Sequence, residues 1–178
     1  MDFNQVIQNR RSIRAYDKEK KVSKEQVEEI LKAALLAPSW KNSETARYYA
    51  ILNEEKIAEI SKKCLPEFNQ RNSDGAVLIV TTFVKSRSGF TKEGKSENEC
   101  GEGWGFYDLG LANENLVLKA AEMGLGTLIM GIRDGKALRE NLNIPDNEEI
   151  VSVIAVGYSD AKPEMPNRKN LEDVAKFL

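Results

Sequence analysis

An arginine-rich segment near the N-terminus is the first candidate for chemistry. Residues 10–14 bring three guanidinium groups and a hydroxyl within five positions, in the order Arg10, Arg11, Ser12, Ile13 and Arg14. Arginine offers planar, multidentate donors that match the oxygens of a phosphate group. The segment therefore favours a phosphate site, and a solvated basic turn is the alternative that composition leaves open.

A second segment, residues 37–43, follows an apolar helix and precedes a predicted strand. Pro38 fixes a turn there, while Ser39 and Asn42 offer polar groups beside accessible backbone. Such a loop suits the polar edges of a planar heterocycle. The alternative is a helix stop in which Trp40 packs on the core.

Two later segments complete the set. The strand that contains Leu128 and Met130 ends at Gly131, where the missing side chain permits close backbone approach to a ligand. The surrounding glycines do not form a GxGxxG motif, so no dinucleotide-binding fold is predicted from them. Near the C-terminus, Arg168 and Lys169 place two cations in a segment that, taken alone, is typical of a solvated tail.

Continuous apolar runs and helical apolar patterns predict the elements that must position these segments. Capping signals at Asp2, Ser23 and Asn53 begin three helices, and Gly124 closes a long apolar helix. The predicted helices cover about 2–9, 24–36, 54–60, 105–123 and 134–141, and the predicted strands cover 48–52, 76–84, 127–130 and 150–156. The polar stretch 85–103 is predicted to be a long loop, of a length that is usually functional or mobile. This order indicates an α+β or α/β class with helices covering a sheet.

Composition limits the function further. A chain of 178 residues with a net charge of −2 fits one domain, residues 1–178, and argues against a nucleic-acid binder. The absence of histidine removes His-dependent triads and most catalytic metal sites, so no metal is predicted. Cys64 and Cys100 are expected to be two free thiols rather than a disulfide. No signal peptide or membrane-spanning apolar run is visible, so we expect a cytoplasmic protein without a membrane partner.

Taken in order, these segments resemble the FMN-dependent nitroreductase-like family over nearly the whole chain. The family pattern is an R-R-S-x-R-x-F/Y segment, an A-P-S-x-x-N loop, a long helix ending in G-L-G-T, a strand ending in Gly, and a late R-K-x-L-E-E-V-like tail. The sequence carries corresponding stretches at 10–16, 37–42, 124–127, 127–131 and 168–174. Each motif is weak alone, and the ordered set is more specific.

The resemblance implies an α+β sandwich, with a central mixed, mostly antiparallel sheet covered by helices and two copies interlocked as a homodimer. FMN would lie in clefts at the dimer interface. Residues implied at the cofactor through their match to the family pattern are Arg10, Arg11, Ser12, Arg14, Pro38, Ser39, Trp40, Asn42, Leu128, Met130, Gly131, Arg168 and Lys169. Among them, Arg10, Ser12 and Arg168 would contact the phosphate, and Arg14 would lie at the N1/O2 edge of the flavin.

The implied activity is ping-pong electron transfer from NADH or NADPH, through FMN, to a small acceptor such as a nitroaromatic or a quinone. The cofactor carries this chemistry, so no catalytic acid or base is assigned. The sequence departs from the common N-x-Q-P-W loop at Glu44, Thr45 and Ala46, and this puts the usual donor and acceptor preferences in question. Alternatives are a non-catalytic flavin sensor or FMN reservoir, a dehalogenating or ring-oxidising branch, and a domain that binds phosphorylated partners.

Overall fold

Four antiparallel strands form one sheet at the centre of the molecule, in a computed structural model that describes residues 2–178. The strand order is β1-β2-β4-β3. The strands are β1 (Ala46–Ile51), β2 (Val77–Val84), β3 (Gly126–Met130) and β4 (Glu148–Gly157). The predicted α+β class and mostly antiparallel sheet are thus confirmed: all three strand pairings are antiparallel, and a parallel bridge joins Ser12 to Thr127.

Seven α-helices accompany the sheet within residues 2–178. They are α1 (Phe3–Asn9), α2 (Lys24–Leu35), α3 (Glu54–Cys64), α4 (Glu67–Asn72), α5 (Gly103–Glu122), α6 (Gly135–Leu142) and α7 (Leu171–Val174). The predicted caps are present, because the side chains of Asp2, Ser23 and Asn53 each accept a hydrogen bond from a backbone N–H three residues ahead. The short helices α4 and α7 were not predicted.

Both faces of the sheet are buried. On β2, Leu78 and Val80 belong to a core cluster shared with α3 and α6, whereas Val77 and Ile79 belong to a second cluster shared with α2 and α5. β4 alternates in the same way. This explains why the two strands are almost continuously apolar and β-branched in sequence.

The long helix α5 approaches the sheet closely at its first turn. A Cβ added at Gly105 would lie 2.3 Å from Cε2 of Phe83, so only glycine allows this packing. Further along, Leu116, Val117 and Ala120 are buried against α2 and the sheet. The central position predicted for this helix is confirmed.

The two cysteines are free thiols, as predicted, with Cys64 buried and Cys100 exposed. None of the helices within residues 2–178 combines the length and the hydropathy that a membrane-spanning segment requires.

Candidate functional site

The arginine segment is attached to the free side of β3. Ser12 forms a parallel bridge with Thr127, and the N–H of Ile13 donates to the carbonyl of Thr127 (2.8 Å). The side chain of Ile13 is buried, while Ser12 and Arg14 are exposed on the other face. A Cβ at Gly126 would lie 2.7 Å from Ile13 Cγ1, so this glycine of the predicted G-L-G-T motif permits the contact.

No carboxylate within residues 2–178 forms an ion pair with Arg10, Arg11 or Arg14. Two of them donate to nearby carbonyls: Arg11 Nη1 to the carbonyl of Arg10 (2.7 Å), and Arg14 Nη1 to the carbonyl of Ser12 (3.4 Å). Arg10 and Arg11 line a cavity of about 150 Å³ beside the 124–127 turn. This set of uncompensated cations and a hydroxyl fits a phosphate group.

The end of β3 does not present the side chains of Leu128 and Met130 to solvent. Leu128 and Met130 are buried in the core, so any contact they make with a ligand must use their backbone. Ile129 and Ile132 are exposed instead. A Cβ at Gly131 would meet no atom within 4 Å, so the space beside the strand end is open. The alternation of side chains along a strand puts Ile129 on the face opposite Leu128 and Met130.

The loop that contains Ser39 and Trp40 has an unusual backbone. Lys41, Asn42 and Glu44 all have φ between 46° and 54°, the left-handed region that favours glycine. Ser39 Oγ accepts the N–H of Glu44 (3.1 Å), and Asn42 Nδ2 donates to Glu44 Oε1 (2.7 Å). Glu44, which stands where the family pattern commonly has glutamine, thus accepts a hydrogen bond from the side-chain amide of Asn42.

Buried polar groups surround the same loop. The hydroxyls of Ser43, Thr45 and Tyr48 are buried and have no hydrogen-bond partner within the described part of the chain. Burial raises the pKa of Tyr48 to about 12. A cavity of about 100 Å³ beside them is lined in part by Pro38, Ser39 and Thr45.

Two carboxylates that were not foreseen from the sequence hold this loop. Asp108 of α5 is 5% exposed, and its Oδ2 accepts the backbone N–H of Trp40 (2.9 Å) and the hydroxyl of Ser88. Glu97, in the loop between β2 and α5, accepts from Trp40 Nε1 (3.0 Å) and Lys41 Nζ (2.5 Å). The hydrogen bond from Lys41 is the main reason that the pKa of Glu97 lies below its usual range.

The C-terminal cations lie apart from the other candidates within one chain. Residues 160–174 are exposed and have no regular secondary structure before α7, and Arg168 Nη1 donates to the carbonyl of Pro166 (2.9 Å). No hydrogen bond or ion pair within residues 2–178 joins Arg168 or Lys169 to residues 10–14. Within one chain, the predicted residues therefore fall into three groups. These are the arginine segment with the end of β3, the loop that contains Ser39 and Trp40, and the C-terminal segment that contains Arg168 and Lys169.

Comparison with known proteins agrees with the fold and the motifs. The sequence profile of the Nitroreductase family matches residues 7–158. A protein of Archaeoglobus fulgidus, provisionally named as an NADH dehydrogenase/NAD(P)H nitroreductase, is 31% identical over 157 residues, which cover 86% of this chain and 83% of the relative.

Solved structures show the same fold. A nitroreductase family protein of Clostridium difficile 630 matches with a TM-score of 0.79 and 26% identity, covering 99% of this chain and 98% of that one. A protein of Exiguobacterium sibiricum, provisionally named a nitroreductase and solved in complex with FMN, matches with a TM-score of 0.87 and 24% identity, over 100% of this chain and 98% of that one.

The chain belongs to the nitroreductase family of oxidoreductases. The resemblance inferred from the ordered motifs is thereby confirmed.

Proposed function

We propose that this protein is an FMN-dependent NAD(P)H oxidoreductase, built as one domain over residues 1–178. The observation that carries the proposal is the group of three arginines that have no acidic partner within residues 2–178, on the segment that Ser12 and Ile13 attach to Thr127 of β3. The relative solved with FMN and the relatives named for NAD(P)H support the choice of cofactor and donor.

The chain's own groups would bind and orient the cofactor. Arg10, with Arg168 and Lys169, would bind the phosphate, Ser12 would donate a hydroxyl, and Arg14 would place a cation at the N1/O2 edge of the ring. Bound FMN would supply the redox chemistry, by taking a hydride from NADH or NADPH and reducing a nitroaromatic or quinone in a ping-pong cycle. The protein contributes position, exclusion of water and charge.

We propose further that the working form is a homodimer. Phe3 of α1 and Leu36 at the end of α2 are exposed and border a groove of about 290 Å³ that is also lined by residues of α5, and Ile7 of α1 is exposed as well. The C-terminal segment exposes Leu171, Val174, Phe177 and Leu178 as well. Exposed apolar side chains that border a groove are typical of a protein interface. A dimer would also let the Ser39–Trp40 loop of one copy complete the site of the other.

The test is the visible spectrum of the purified protein, before and after anaerobic addition of each nicotinamide. We expect a yellow protein with about one FMN per chain, identified by mass spectrometry of the released ligand, and bleaching by NADH or NADPH. A flavin that neither nicotinamide bleaches would instead support the sensor or reservoir. A protein that stays colourless after reconstitution would refute the cofactor assignment.

A further inference from the structure

We propose that Asp108 is a positioning residue of the cofactor site, whose buried carboxylate holds the Ser39–Trp40 loop in the conformation that completes the flavin site of the neighbouring copy. This role rests on the proposed function and deepens it, because it names the group on α5 that links the core of one subunit to the cofactor of the other. Asp108 acts through the loop rather than by a contact of its own with the cofactor.

Asp108 is a buried carboxylate at the meeting point of three segments. It lies on α5, and its Oδ2 accepts the backbone N–H of Trp40 (2.9 Å) and the hydroxyl of Ser88. Trp40 belongs to the loop before β1, and Ser88 belongs to the loop between β2 and α5. No cation within residues 2–178 forms an ion pair with Asp108. A buried carboxylate needs hydrogen-bond donors to offset its lost hydration, and Trp40 and Ser88 provide them.

The Ser39–Trp40 loop has a backbone that its own sequence disfavours. Three residues that follow Trp40, at positions 41, 42 and 44, have φ between 46° and 54°, which residues other than glycine seldom adopt. Such conformations persist where the surrounding structure fixes them. The bond from the Ser43 N–H to the Trp40 carbonyl (2.9 Å) shapes the turn from within. The bond from the Trp40 N–H to Asp108 attaches that turn to the helix.

Packing alone does not fix the loop on α5. A cavity of about 100 Å³ separates them, lined by Pro38, Ser39 and Thr45 on the loop side and by Asp108 and Ala112 on the helix side. Empty space beneath a segment removes the van der Waals contacts that would otherwise hold it. The hydrogen bond to Asp108 therefore carries a larger share of the placement of the loop.

The helix gives the carboxylate a fixed position. Leu109 and Ala112, neighbours of Asp108 on α5, are buried, and Gly105 at the beginning of the helix packs against Phe83 of β2. This part of α5 thus belongs to the core. Groups on rigid elements hold a site more precisely than groups on loops. Asp108 therefore sets the position of the loop relative to the core of its own subunit.

The first test measures FMN affinity by fluorescence titration of the apo-proteins. Asp108→Ala should raise the dissociation constant about tenfold or more, as expected for the loss of a hydrogen bond to a charged group. Asp108→Asn keeps an oxygen that accepts from Trp40 and should restore most of the affinity. Glu114→Ala removes an exposed carboxylate from the same helix and should behave like the parent protein. Parent-like affinity in Asp108→Ala, or equal losses in the Ala and Asn variants, would overturn the positioning role.

The second test asks on which copy the loop acts. Chains with Arg10→Ala and chains with Asp108→Ala carry different affinity tags, and the heterodimer is isolated. If the loop acts on the neighbouring copy, one of its two sites combines an intact Arg10 with an intact loop, and the other site carries both defects. We expect one FMN per heterodimer at parent affinity, although neither homodimer binds at that affinity. Heterodimers without a restored site would overturn the action of Asp108 across the interface.

A third measurement uses the parent protein and needs no variant that folds. Hydrogen exchange of the Trp40 amide, followed by mass spectrometry, reports on the opening of its bond to Asp108. We expect slower exchange when FMN is added, because a ligand that requires the positioned loop stabilises it in return. Exchange that FMN does not change would contradict the role of Asp108.

Failure of the proposed function looks different from failure of the positioning role. A protein that binds no FMN after reconstitution would refute both. A flavin that no nicotinamide bleaches, in a protein whose FMN affinity still depends on Asp108, would refute the oxidoreductase and leave the positioning role intact. FMN affinity that depends on Arg10 but not on Asp108 would refute the positioning role alone.

Discussion

The arginines of residues 10–14 differ from the lysines of α3 in how their charge is compensated. Lys56 and Lys63 both donate to Glu59, so their charge is neutralised on the surface of the helix. No carboxylate within the described residues does the same for Arg10 or Arg14. The charges of Arg10 and Arg14 are therefore available to an anionic ligand such as a phosphate group.

Replacing Arg10 or Arg168 by alanine should weaken FMN binding. A hydrogen bond to a charged group contributes roughly 1.5–3 kcal/mol, which raises the dissociation constant about ten- to a hundredfold. Fluorescence titration of the apo-proteins with FMN measures this, with Lys62→Ala on α3 as a charge-matched control. FMN affinity that is unaltered in both variants would show that these residues do not hold the phosphate.

Arg14→Gln should lower the midpoint potential of the bound flavin. A cation at the N1/O2 edge favours the reduced, more negatively charged form, so its removal disfavours reduction. We expect a shift of about 30 mV or more, which corresponds to about 1.4 kcal/mol for a two-electron couple. Redox titration with a reference dye measures the potential. An unchanged potential would show that Arg14 does not lie at the ring edge of the flavin, and it would not contradict the proposed phosphate contacts.

At the scale of elements, the close contact between α5 and β2 at Gly105 gives a sharp prediction. Gly105→Ala places a methyl group against Phe83 and should destabilise the fold by about 1–3 kcal/mol through overpacking. Gly110→Ala in the same helix meets no atom within 4 Å and should be neutral or stabilising, by up to about 1 kcal/mol, through helix propensity. Urea unfolding measures both. Equal effects of the two changes would contradict the packing of the helix on the sheet.

The elements that were predicted are those whose signals lie close together in sequence. Capping boxes at Asp2 and Ser23, and the apolar run that forms β2, depend only on neighbouring residues. The helix α4 was missed because its six residues are mostly polar and carry no apolar period. The beginning of β1 at Ala46, ahead of the predicted Tyr48, depends on its pairing with Phe83 of β2.

The residues of the candidate site divide in the same way, into those with a local sequence signal and those that depend on contacts with distant residues. The arginine segment and Gly131 could be found as motifs, since each is a local pattern. Asp108 and Glu97 could not, because they bind Trp40 across 68 and 57 residues of sequence. Nothing in the local sequence marks a carboxylate that will be buried against a distant loop. The roles of all these residues toward FMN remain predictions.

At the scale of the whole molecule, the separation of the candidate groups within one chain links assembly to cofactor binding. If the Ser39–Trp40 loop contacts the flavin of the neighbouring copy, dilution to the monomer should release FMN. Analytical ultracentrifugation over a dilution series, monitored at the flavin absorbance, follows the dissociation of the dimer and the release of FMN together. A stable monomer that retains its FMN would refute this arrangement.

The left-handed backbone at Lys41, Asn42 and Glu44 has a consequence for laboratory evolution. Each such residue destabilises the fold by on the order of 1 kcal/mol relative to a relaxed conformation, and glycine would relieve most of that strain. Lys41→Gly would also remove the contact that joins Lys41 to Glu97. A screen for heat resistance should therefore favour glycine at position 41, and a screen for turnover should favour the lysine that contacts Glu97.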